Sequence, residues 1–117
     1  MTALNPTQIE QKILDITNRI AKGIGVFTKR YDEFLATDRD FDLAFARVYL
    51  EAEGSIEDKK KQATIKTHEL RTERDVAEVA FKQADKLLRA LELELRALQS
   101  VGASVRQQYG VAGRGEY

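Results

Sequence analysis

KKKQATIKTHELRTERDVAEVAFKQADKLLRALELELRALQSVGASVRQQY, residues 59–109, contains no proline and a single glycine, Gly102. Ala63, Leu70, Ala77, Ala84, Leu91, Leu98 and Val105 recur in it at intervals of seven, and Phe81, Leu87, Leu88, Leu95 and Tyr109 fill the alternate spacing. Apolar residues at steps of three and four line one face of a helix, so the run predicts a single long helix with a coiled-coil-like seam. At a rise of 1.5 Å per residue that helix would measure roughly 75–80 Å. The intermediate positions change along it, from Lys66 and Glu73 in the first half to Leu87, Leu88 and Leu95 in the second. Packing is therefore expected mainly in the C-terminal half. Ala84, Leu87, Leu88, Leu91, Leu95 and Leu98 form the expected core. They also form an expected oligomer seam, because leucines at both spacings exceed what one partner helix can cover.

Upstream of this run, Gly54 predicts a turn, and Ser55 with Asp58 three residues on predicts a capping box at the start of the long helix. Phe41, Ala44, Phe45, Val48 and Ala52 place a second helix before the turn, over about 40–53. Earlier still, Asn5-Pro6 is a helix start, since asparagine accepts from free amides and proline gives up a donor that had no partner. Ile13, Ile20, Phe27 and Phe34 recur at sevens from there, with Ile9, Ile16, Ile24 and Tyr31 between them, giving a first helix over about 6–36. Gly23 and Gly25 fall inside it and mark either a bend or a close approach by another helix. Thr37-Asp38-Arg39-Asp40 predicts a short break, with Asp38 or Asp40 capping the next helix. Asp38, Asp40 and Asp42 also match the opening spacing of a calcium loop, but Leu43 stands where that loop needs glycine and Tyr49 where it needs glutamate. The arms before and after Gly54 are nearly equal in length. The expected fold is all-α, an elongated antiparallel hairpin of helices 6–36, 40–53 and 55–109 in one domain, coiled-coil-like and oligomeric. Residues 110–117, Gly-Val-Ala-Gly-Arg-Gly-Glu-Tyr, read as a flexible tail, frayed or touching a partner through Arg114 and Tyr117.

A chain of 117 residues with 43% apolar content fits one folding unit. Nineteen basic and nineteen acidic residues cancel, so no net field steers it to nucleic acid or an anionic membrane. It has no cysteine, which removes disulfides and thiolate metal sites and suits a cytoplasmic protein. Glu10, Lys12, Asp15 and Arg19 break up the first twenty residues, so neither a signal peptide nor a membrane span is expected there. No nucleophile triad, phosphate loop or metal-ligand spacing is present, and His68 is the only histidine, so neither an enzyme nor a cofactor is expected.

Charge is patterned in two ways. Arg71, Arg74, Lys82, Arg89 and Arg96 share one side of the long helix. Glu78, Asp85 and Glu92 precede three of them by four residues, which reads as a solvated, salt-bridged face. Lys59, Lys60, Lys61 and Lys66 mostly lack such acids, and hairpin pairing brings Arg47 opposite them. Five cations face four acids, Glu51, Glu53, Glu57 and Asp58, between positions 47 and 66. The segment is either a solvated helix start or a nucleic-acid-binding surface that gains strength through repetition in an oligomer.

The order of features resembles the UvsY-type recombination mediators of bacteriophages. The resemblance spans most of the chain. It rests on the spaced aromatics Phe27 to Phe34, on Phe45-Ala46-Arg47-Val48-Tyr49-Leu50 running to Gly54, and on Ala97-Leu98 with Gly102-Ala103-Ser104-Val105-Arg106 closing the long helix. It implies a non-enzymatic protein that binds single-stranded DNA and helps load a RecA-like recombinase onto a strand covered by single-strand-binding protein. A ring-like homo-oligomer in the host cytoplasm is implied as well. The family's Lys-x-Arg DNA contact is matched here by Arg47 alone, with Phe45 at the lysine position. The candidate nucleic-acid-binding set is accordingly Arg47, Lys59, Lys60, Lys61 and Lys66. Tyr49 is a candidate either for base stacking or for core packing. The other reading of the chain is a coiled-coil structural or assembly protein, scaffold or chaperone-like, that does not bind DNA.

Overall fold

A computed structural model describes residues 4–115. Three helices follow in order, α1 over Pro6–Glu51, α2 over Ile56–Lys66 and α3 over His68–Gly115. No strand occurs among the described residues, and the fold is all-α.

The chain starts as its caps dictate. The Gln8 amide donates to the Asn5 side-chain oxygen at 2.8 Å while the Asn5 amide donates back to Gln8 at 3.0 Å, a reciprocal cap that leaves Pro6 in the first helical turn. α1 then runs 46 residues without the expected break at 37–40. The polar residues there have other occupations. The Thr37 hydroxyl donates to the Glu33 and Phe34 carbonyls, and the Asp38 carboxylate accepts a hydrogen bond from Arg74 of α3. Asp38, one of the two expected caps, is thereby taken by Arg74, while the other, Asp40, is exposed on the unbroken helix, and the seam continues through Phe41, Ala44, Phe45 and Val48, all half-buried.

The turn at Gly54 forms as its sequence predicts. Gly54 has φ +113°, a region open to glycine, and Ser55 and Asp58 make the full capping box. The long second arm is interrupted once, where the sequence predicts no break, at Thr67 between α2 and α3. Thr67 is 2% exposed, and its hydroxyl donates to the Ala63 carbonyl at 2.6 Å, the same oxygen that accepts its backbone amide at 3.0 Å. Thr37, Thr64 and Thr72 make the same hydroxyl bond to the preceding turn inside unbroken helices, so what sets Thr67 apart is its burial. At the other end α3 continues past Tyr109 to Gly115, so the expected tail begins inside a helix. Glu116 and Tyr117 lie outside the described residues, as does the side chain of Arg114.

Two compact units make up the chain, one of residues Met1–Gly25 with Lys86–Tyr117 and one of Val26–Asp85. In the first, Gly102 approaches Ile9 and Gly23 approaches Leu88, so α1 and α3 run antiparallel. Ile9 and Ile16, 2% and 3% exposed, are its core. In the second, Phe27, Tyr31 and Phe34 gather around Phe81 with ring centroids 4.9–6.3 Å apart, while Asp38 reaches Arg74. This pairing is antiparallel too, and Ala63, Thr67 and Ala77 are buried in it. In both units the buried positions follow the heptad spacing of a coiled coil.

The seam itself is narrower than the sequence suggests. Ala84, Leu88, Leu91, Leu95 and Leu98 lie half-buried along it, but Leu87 is 59% exposed and Tyr109 is also exposed. On α1 the inward position is Gly23, and Ile24 beside it points outward. Steps of three and four leave room for only one residue of each such neighbouring pair. Of the two glycines in α1, Gly23 is the close approach, because a Cβ there would stand 3.2 Å from Leu88 Cδ1, whereas Gly25 faces open space.

Candidate nucleic-acid interface

The candidate residues flank the turn at Gly54 in the second unit. Two contacts fix the register of α2 against the end of α1. The Lys59 ammonium lies 6.0 Å from the centre of the Tyr49 ring, and Gln62 Nε2 donates to the Glu53 carbonyl at 2.9 Å. With Tyr49 level with Lys59, Arg47 is about level with Lys61, beside Lys60 and roughly a turn and a half from Lys66.

The five candidate cations do not share one environment. Lys59 is half-buried, its ammonium over Tyr49, an arrangement attractive through the ring's negative face. Tyr49 is half-buried as well, which places it on the packing side of its two expected roles. Arg47, Lys60, Lys61 and Lys66 are exposed. Among the described residues, only Lys60 of these four meets a carboxylate, Glu57 at 3.8 Å, a loose pair with both partners in solvent. On the acidic side, Asp58 is committed to the cap of α2, where its carboxylate accepts from the Ser55 amide. Glu51 and Glu53 are exposed. The exposed surface thus carries cations whose charge is only partly answered among the described residues.

Periodicity did not single out the apolar residues interleaved with these cations. Leu50 is 81% exposed, Ile65 75%, and Ile56 is exposed beside them. Lys61 and Ile65 stand four apart on α2 and therefore share a face. The signal available in the sequence was negative for Leu50 and Ile65, which fall two residues past a heptad position of their helices, whereas Ile56 stands on the spacing, seven before Ala63.

The cations further along α3 behave differently. Lys82 Nζ donates to Glu78 Oε1 at 2.8 Å, the pair expected from their spacing, and this hydrogen bond followed by the ammonium's charge holds the Glu78 carboxyl below its ordinary value. Arg74, expected on the solvated face, instead turns toward α1. Its Nε donates to Asp38, and its guanidinium lies 5.7 Å and 5.9 Å from the Phe34 and Phe41 ring centres. The hydrogen bond to Asp38 raises the guanidinium above its ordinary value, with desolvation opposing it. Arg74 thus acts as a structural cation, bonded to Asp38 and lying over two rings.

His68 is exposed at the start of α3. Among the described residues no group of three His, Cys, Asp or Glu side chains is placed to hold a metal, and no helix is long and apolar enough to cross a membrane. Compared with protein families, characterised proteins and solved structures, the chain shows no significant match.

Proposed function

We propose that this protein is a non-enzymatic recombination mediator that binds single-stranded DNA and helps a RecA-like recombinase displace single-strand-binding protein, acting in the cytoplasm of a host cell. The observation that carries the reading is the exposure of Arg47, Lys60, Lys61 and Lys66 around one turn, with a single loose acid partner, Glu57, among the described residues. The sequence resemblance supplies the class of reaction. Flexible, exposed ammonium groups suit sequence-independent phosphate contacts, which position a strand without reading its bases. Lys59 supports the surface through Tyr49, and Leu50 and Ile65 offer apolar area against which unstacked bases can lie.

A fluorescence anisotropy titration with oligo-dT at rising salt tests this reading. Three to four phosphate contacts give a slope of log K against log salt of roughly −2 to −3 for a single strand. Arg47→Glu combined with Lys60→Glu should weaken binding by more than about tenfold at low salt, because two contacts become repulsive. No binding at low salt, or binding untouched by the double substitution, overturns it.

One observation favours a second reading, a structural or assembly protein without DNA affinity. Zero net charge accompanies large exposed aliphatics such as Leu14, Leu87 and Leu93 in the first unit, far more than a solvated surface requires. That reading predicts self-association and no anisotropy change with oligo-dT.

A further inference from the structure

Both large aliphatics of α2 face solvent, Ile56 63% exposed and Ile65 75%. What the helix turns inward is Lys59, Gln62 and Ala63, and of its residues Ala63 alone is fully buried. The ties to its surroundings are correspondingly slight. They are the Gln62 bond to the Glu53 carbonyl at 2.9 Å, the Lys59 ammonium over the Tyr49 ring, and one alanine methyl. The capping box of Ser55 and Asp58 starts α2 without tying it to α1, since both of its bonds lie within the segment. Eleven residues are also fewer than the roughly 12–15 that an isolated helix needs to persist in water. Thr64 and Ile65 are β-branched and lower the helix propensity further. α2 therefore depends on docking for its form, and little docks it.

The start of α3, in the same unit, is held by more. Ala77 is buried, Phe81 stands in the ring cluster, and Arg74 is bonded to Asp38. Between the two stretches Thr67 leaves the helical conformation, with φ −106° and ψ 13°. Its amide donates to the Ala63 carbonyl and its own carbonyl accepts from the Arg71 amide, both at 3.0 Å, so the residue closes one helix and opens the other. At the far end α2 is bounded by Gly54, whose φ of +113° also lies outside any helix. Each boundary of α2 is a place where helical order already stops.

We propose that α2 is an order–disorder segment, which leaves α1 and melts as a unit between Gly54 and Thr67 while α1 and the start of α3 stay paired. Melting lifts the Lys59 ammonium from Tyr49 and uncovers that ring. It also frees Lys59, Lys60, Lys61 and Lys66 from fixed places around a helix, while Arg47 remains on α1. A ligand that needs these cations on a helical frame draws α2 shut, and one that takes the Tyr49 ring draws it open, each through its preference for one of the two states.

The inference does not depend on DNA binding, and its test contains no DNA. Native-state amide exchange of the unaltered chain, followed across low urea concentrations, tests it. Amides of residues 60–66 should exchange more than about tenfold faster than those of 74–81 once intrinsic rates are divided out. Their dependence on urea should be weak where that of 74–81 is steep, because opening α2 alone exposes little surface. Equal protection, or one urea dependence common to both stretches, overturns the inference. Single cysteines give a second measurement, since the chain has none of its own. Ala63 is 0% exposed and Ala77 9% exposed, so fixed burial makes a thiol at Ala77→Cys the faster to react. Melting of α2 reverses that order, with Ala63→Cys labelled more than about tenfold faster than Ala77→Cys. The order set by fixed burial overturns the inference as well.

Discussion

The two units solve the same problem, an antiparallel helix pair with one seam, by different chemistry. The first uses aliphatics and glycine. Ile9 sits against Gly102, and Gly23 admits Leu88, so the helices meet through small residues and branched side chains. The second uses rings and charge. Phe27, Tyr31, Phe34 and Phe81 cluster, and Arg74 occupies a seam position, bonded to Asp38 and stacked between two phenylalanines. In the first unit register is set by fit, since Gly23 and Gly102 each leave room for one side chain of the opposite helix. In the second a directional hydrogen bond between residues 36 apart adds to the fit. The unit that carries the candidate nucleic-acid surface is therefore the one whose register is held by a polar bond as well as by packing.

The contrast is tested most strongly by core truncation. Ile16→Ala empties one of two nearly inaccessible side chains in the first unit and should cost about 2–5 kcal/mol in urea denaturation. Phe81→Ala removes the hub of the ring cluster, but at a half-exposed site that solvent can refill, so about 2–3 kcal/mol is expected. A reversed order would mean that the aromatic unit, not the aliphatic one, dominates stability.

Asp38→Ala should have a smaller effect on the unfolding midpoint than either truncation and a distinct local signature. Amide exchange should accelerate around residues 34–41 and 70–78 while the protection of Ile9 and Ile16 is unchanged. Arg74→Lys should reproduce most of that loss, because an ammonium lacks the planar fork that both bonds Asp38 and stacks on the rings. Uniform loss of protection in both units would show that the pair acts globally and is no register pin.

The glycines sharpen the comparison further. Gly25→Ala, facing open space, should stabilise α1 by about 0.5–1 kcal/mol, whereas Gly23→Leu should destabilise it by about 1–3 kcal/mol through the clash with Leu88. The smallest effect is pH-dependent. Glu78 titrates below its ordinary value in the folded state, so its contribution is present above the usual carboxylate range and is lost as pH falls through the lowered value. Glu78→Gln should flatten the acid limb of a plot of stability against pH slightly, with no change at neutral pH beyond the loss of the Lys82 pair.

Much of the candidate surface was legible in the sequence as charge, and its composition was right while its grouping was not. Lys59 to Lys61 look alike as a run, yet one lies over Tyr49, one pairs with Glu57 and one projects with Ile65. A helix turns about 100° per residue, so adjacent lysines must face different neighbours. Arg74 was misread for the converse reason. Its spacing from Arg71 and Lys82 groups it with exposed cations, and nothing local to it reports the carboxylate on α1.

What the sequence determined by itself is the helical content, the caps at Asn5 and Ser55, the turn at Gly54 and the inward heptad of α2 and α3 from Ala63 to Val105. All of these follow from residues within about two turns of each other, where side-chain reach and backbone geometry are fixed by the helix. Tertiary structure alone decided that α1 runs through 37–40, that Gly23 and not Gly25 receives the other helix, that the second arm is interrupted at Thr67, and which leucines of α3 stay outside. Each of these depends on what the opposite helix presents at that level. A polar residue caps a helix only if no partner across the interface takes its side chain first, and Asp38 has such a partner in Arg74.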